Sequence, residues 1–185
     1  MAARLHAGSG RRVGARSAVA FIMRSVDMAH WSVPPEGMTW LTQGECQADC
    51  LKDLRTKQNV LSFWRIEADR SNLPRVIAAL AAGRDHLQKL DYVLAPDSVL
   101  GELSIEAGAT PGNSPDPKAN GQWHLDLIHL SAGKLARLAG RINACGEKKR
   151  LPMGKVKEVI RAGLARGDLE RGRVQESIVD GLSSR

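Results

Sequence analysis

The chain has 185 residues, room for one ordinary domain with a modest extension. Hydrophobic residues make up 43% and charged residues 25%, which excludes wholesale disorder, and no run of about 18 apolar residues exists to span a membrane. The net charge of +7 divides into +3 over residues 1–37, −2 over 38–121 and +6 over 122–185, while aromatics at 4% are too few for a platform that stacks single-stranded nucleic acid.

Residues 1–37 contain no acid before Asp27. Arg4, Arg11, Arg12 and Arg16 precede a short apolar stretch from Ala18 to Met23. That pattern imitates a secretory signal or an organellar transit peptide, but the apolar stretch is short and no clean small-x-small cleavage site follows. Met23, Met28 and Met38 are alternative starts to Met1. The segment therefore reads as a basic flexible arm or a mis-assigned start, closed by Pro34, Pro35 and Gly37.

A core is expected over residues 38–145. Met38 to Gln43 reads as a short strand, and 46–57 as a helix with Cys46, Cys50, Leu51 and Leu54 on one side. Asn59 to Glu67 is the best strand: Val60, Trp64 and Ile66 share one face, Leu61 and Phe63 the other. Apolar groups on both faces suit an interior position. Asn72 is an N-cap candidate, with Pro74 in the first turn of a helix running to about residue 88. Ile77 sits on its apolar side. Leu90 to Ala95 reads as a third strand, and Asp97 caps a short helix through Leu103.

Residues 107–121, AGATPGNSPDPKANG, read as a long surface loop or spacer. Residues 122–130 return as a strand with Leu125 and Leu127 on one face and His124 and Asp126 on the other. Ser131 caps a helix that Gly146 stops, with Leu135, Leu138, Ala139 and Ile142 inside. Residues 146–185 read as a basic helical extension: a corner at Lys148, Lys149 and Arg150, then helices at 153–166 and about 168–182. The fold class expected is α/β or α+β, a small mixed sheet of about four strands near 38–43, 59–67, 90–95 and 122–130 with packed helices.

Three cysteines, Cys46, Cys50 and Cys145, make a poor disulfide framework and fit a reducing, cytoplasmic setting. Cys46 and Cys50 are four apart and share a helical face; with no second Cys pair at suitable spacing, no metal site and no cofactor are expected. Phosphate-loop, dinucleotide, H-E-x-x-H, G-x-S-x-G and C-x-x-C patterns are all absent. A helix-turn-helix on 163–178 fails because Glu170, Arg173 and Glu176 would fall in its core.

What remains is charge. Lys134, Arg137, Arg141, Lys148, Lys149, Arg150, Lys155, Lys157 and Arg161 fall at helical spacing or in the basic corner. They suggest a ridge of cations contacting an acidic macromolecule, nucleic acid or protein. The expected function is a non-enzymatic interaction module. Two alternatives stand beside it. One is a small enzyme with a His124 and Asp126 acid–base pair near the 107–121 loop. The other is an immunity- or antitoxin-like protein that recognises its target through the acidic middle of the chain.

Overall fold

A computed structural model describes residues 20–31, 41 and 45–183. Six strands form one sheet: β1 (Phe21–Ser25), β2 (Leu61–Ile66), β3 (Leu90–Pro96), β4 (Glu106–Ala109), β5 (His124–Ile128) and β6 (Glu147–Leu151). Their spatial order is β4-β5-β2-β1-β3-β6, and every neighbouring pair is antiparallel. The expectation of about four strands in a mixed sheet is therefore corrected to six strands running alternately. The strand expected over Met38–Gln43 lies outside the described residues, apart from Leu41, which is irregular.

Helices cover both faces. The helices are α1 (Met28–Trp31), α2 (Cys50–Asp53), α3 (Leu73–Ala82), α4 (Ser98–Glu102), α5 (Pro117–Gln122), α6 (Ala132–Cys145), α7 (Met153–Ala165) and α8 (Glu176–Ser183). Met23, Trp64, Ile66, Tyr92 and Leu94 point to one side and pack with α3, α5, α7 and α8. Ile22, Leu61, Phe63, Val93, Leu125 and Leu127 point to the other, against α1, α2, α4 and α6. Two cores on one antiparallel sheet require interior strands that are apolar on both faces, and β2 and β3 meet that demand by alternating two apolar sets.

β1 and α1 fall within the segment expected as a flexible arm. β1 is interior, between β2 and β3, and Ile22 and Met23 are fully buried. Its apolar residues Phe21, Ile22 and Met23 belong to the Ala18–Met23 stretch on which the targeting pattern rested. At the other end, Lys148, Lys149 and Arg150, expected as a corner within a helical extension, belong to edge strand β6. A charged edge discourages pairing with a second chain.

The helices differ from expectation mainly in length. The one expected over 46–57 is the single turn α2, and α3 ends at Gly83 rather than near residue 88. Asn72 does not cap α3: its side chain accepts from the Glu67 N–H at 3.0 Å and donates to the Arg65 carbonyl at 3.0 Å. Asp97 makes no side-chain cap either. Ser131 does cap α6, accepting from the Lys134 N–H at 3.2 Å. α7 ends where Gly167 takes φ of +71°, with the Asp168 N–H bonded to the Gly163 carbonyl. Gly163 has a second task, since a Cβ there would press on Leu169 at 3.0 Å and Ala78 at 3.5 Å. That hydrogen, with buried Ala78, Ala79, Ala81 and Ala82, lets α7 lie close on α3. The helix expected over about 168–182 begins only at Glu176, although Leu169, Val174, Ile178 and Leu182 are all buried.

The 107–121 segment departs most from its reading as a spacer. It holds edge strand β4 and helix α5, which starts on Pro117 with Asp116 as a side-chain cap accepting from the Ala119 N–H at 2.9 Å. Ser114, Asp116 and Asn120 are buried and bonded to one another and to the backbone. Arg75 reaches in from α3, donating to both Asp116 oxygens at 2.6 and 2.9 Å and pairing with Asp168 at 2.8 Å. The polar residues that signal a loop are here the internal partners of one another.

Candidate functional site

The nine cations do not form one ridge. Lys134, Arg137 and Arg141 lie on α6, which packs on one face of the sheet, whereas Lys155, Lys157 and Arg161 lie on α7, which packs on the other. β6 carries Lys148, Lys149 and Arg150 at the edge. Most are held. Arg141 pairs with Glu102, Lys149 with Glu147 at 3.6 Å, and Lys155 with Glu158 at 2.7 Å. Arg161 donates to the Leu182 carbonyl, and Lys148 to the Asn143 carbonyl at 3.3 Å. Among the described residues, no ion pair is found for Lys134 or Arg137.

Arg150 is committed to Asp91, donating to its two oxygens at 2.8 and 2.9 Å. Asp91 is buried, and the guanidinium holds its carboxyl below the ordinary carboxylate range. A carboxylate whose pKa falls on folding stabilises the fold above its unfolded value of about 3.9 and loses that contribution as pH falls through the folded value. Urea midpoints recorded from pH 6 down to pH 2 are expected to fall more steeply for the wild type than for Asp91→Asn. Parallel curves would show that the pair adds nothing.

A groove runs along α6. It encloses about 520 Å³ and is lined by Ala136, Arg137, Gly140, Arg141 and Ala144 on α6, by residues 45–48 and Leu51, and by Leu103 beyond α4. Ala136, Gly140 and Ala144 recur every four residues, so α6 presents a stripe without side-chain bulk, flanked by two guanidiniums. Leu51 is 37% exposed, unusual for a large apolar residue here. The sequence carries this stripe as A-R-x-x-G-R-x-x-A over residues 136–144, where periodicity of the small residues is the signal.

At one end of the groove Cys46 is half-buried, while Cys50, behind it, is fully buried. The Cys50 thiol donates to the His30 carbonyl at 2.9 Å and lies within hydrogen-bonding reach of Cys46. Burial pushes both thiols up, Cys50 to about 12. Behind them Asp53 accepts from Trp31 Nε1 at 2.7 Å and contacts His30 Nδ1 at 3.0 Å. Arg24 donates to the Asp53 carbonyl at 2.6 Å; burial pulls its pKa down to about 10 against the pull of the Asp53 charge.

His124 and Asp126 share the other face of the sheet, as the alternation of β5 predicts, and both are half-buried. The Thr110 hydroxyl joins them, 3.0 Å from His124 Nδ1 and 2.9 Å from Asp126 Oδ2. Ser62 donates to the other Asp126 oxygen at 2.7 Å. His124 packs edge-on to Trp64, with centroids 5.2 Å apart. Gly112 fits against the imidazole, where a Cβ would approach Cγ at 3.0 Å. Both Asp126 oxygens are occupied, so the cluster fastens the segment after β4 to the sheet. His129, just past β5, contacts exposed Glu106. Among the described residues, no group of three or more His, Cys, Asp and Glu side chains is placed to hold a metal ion. Comparison with family models, with curated proteins and with solved structures finds no match to this chain.

Proposed function

We propose that this protein is a binding module for an acidic protein segment, which seats an apolar side chain in the α6 groove and sets its carboxylates against Lys134, Arg137 and Arg141. The observation that carries the reading is the pairing of an apolar floor with guanidiniums on one helix. A volume near 520 Å³ accommodates one or two side chains rather than a folded surface. Nucleic acid suits the site less well. Duplex binding draws on many phosphate contacts, and the cations of α7 lie on the far side of the sheet from those of α6. A phosphodiester backbone also has nothing to place on an apolar floor. Binding is favoured over catalysis because the His124 and Asp126 cluster faces away from the groove, across the sheet.

The probe is a library of short peptides, each with one large apolar residue among Asp and Glu, selected against the full chain. Selected peptides are expected to lose about tenfold in affinity against Arg137→Glu, equivalent to about 1.4 kcal/mol. They are also expected to bind less tightly as salt rises. Affinity unchanged by Arg137→Glu, or tighter binding of duplex DNA than of any peptide, would overturn the reading.

A further inference from the structure

We propose that Cys46 and Cys50 form a thiol–disulfide exchange site that takes a small anionic disulfide through the α6 groove and closes into an intramolecular disulfide. Three observations place the parts. Cys46 and Cys50 flank the turn closed by the Cys50 N–H on the Gln47 carbonyl at 3.0 Å, which brings the two thiols together as hydrogen-bond partners. Only Cys46 faces the groove, which assigns it first contact and leaves buried Cys50 to complete the exchange. Arg137 and Arg141 line the same groove, with Glu45 the one acid among its lining residues, so two guanidiniums against one carboxylate favour a ligand that bears carboxylates. Cys46 also precedes the first turn of α2, so its backbone is outside the helix that fixes Cys50.

The exchange proceeds in two balanced steps. Cys46, having given its proton to solvent, attacks one sulfur of the incoming disulfide; that bond breaks, and the departing half takes up a proton as a free thiol. Cys50 then loses its proton and attacks the Cys46 sulfur of the mixed disulfide, releasing the second half as a thiol. The protein loses two hydrogens and two electrons, and the small disulfide gains both. Burial raises both thiols, which slows exchange near neutral pH. A slow pair is a latch rather than a turnover catalyst. Cys145 is exposed, lies on α6 and donates to the Arg141 carbonyl, so it is not part of the pair.

This inference stands apart from the acidic-segment reading, because its readout is covalent mass and needs no peptide. The full chain in a Cys145→Ser background is incubated with glutathione disulfide, quenched with an alkylating agent and weighed intact. Loss of both alkylatable thiols is expected, with a Cys46–Cys50 cross-linked peptide on digestion and full recovery after dithiothreitol. Cys50→Ser is expected to stop at a mixed disulfide on Cys46, and Cys46→Ser to remain unmodified. Cystamine, a cationic disulfide, is expected to react more slowly than glutathione disulfide, and Arg137→Glu to remove that preference. Two free thiols after prolonged exposure, or Cys50→Ser and Cys46→Ser modified alike, would overturn the site. Equal rates with both probes would overturn entry through the cationic groove.

Discussion

Asp116→Ala is expected to cost about 3–5 kcal/mol of unfolding free energy, the loss typical when one partner of a buried ion pair is removed. Asp116 is fully buried, and its carboxylate caps α5 while receiving both arms of the Arg75 fork. Removing it strands the guanidinium with Asp168 alone and leaves the first turn of α5 without its acceptor. For a chain of this size the loss corresponds to a fall of roughly 10 °C in melting temperature. Asp116→Asn keeps an oxygen for the Ala119 N–H and is expected to cost less. Urea unfolding of the two variants measures the difference, and a loss below about 1 kcal/mol for Asp116→Ala would show that the network adds little stability.

Ile77→Asp is expected to have the larger effect. Ile77 is buried on α3 beside Val76, Ala78 and Ala81, in the core shared with α7 and α8. Aspartate there forfeits about 2 kcal/mol of apolar burial and must place a carboxylate where water does not reach. The combined loss, about 4 kcal/mol or more, approaches the whole stability of an ordinary domain at about 5–15 kcal/mol. A largely unfolded chain at 37 °C, read by circular dichroism, is the expected result. Ile77→Val, which removes one methyl and no charge balance, is expected to cost about 1 kcal/mol and to fold. A stable, folded Ile77→Asp would contradict the packing of α3.

Much of the fold was legible because apolar periodicity reports burial directly. The alternation in β2 separates Leu61 and Phe63 from Trp64 and Ile66, and that in β5 separates Leu125 and Leu127 from His124 and Asp126, as the two cores require; the cap at Ser131 and stop at Gly146 follow from local chemistry. β1 was not legible, since a short apolar stretch after several arginines looks the same whether it is a targeting core or part of an interior strand. Only its partners on β2 and β3, far along the chain, distinguish the two. The 107–121 segment was not legible for a related reason: Ser114, Asp116 and Asn120 are typical of exposed turns, and the ion-pair partner of buried Asp116 is Arg75, more than thirty residues earlier. Strand β6 was hidden by its charge, which an edge tolerates and an interior strand does not. The site followed the same pattern. Sequence identified the cations of α6 but could not show that α7 carries its own to the opposite side of the sheet.

The place of β1 has a consequence for how the molecule comes apart. Within the described sheet, β4, β5 and β2 reach β3 and β6 through β1 alone, so this short strand is the keystone of two half-sheets. Peeling it away would sever the backbone ladder at its middle and bare two long raw flanks, on β2 and β3, which carry one charge each, Arg65 and Asp91, where the β6 rim carries four. Partial unfolding that begins there would yield fragments primed to aggregate, whereas fraying at either rim would not.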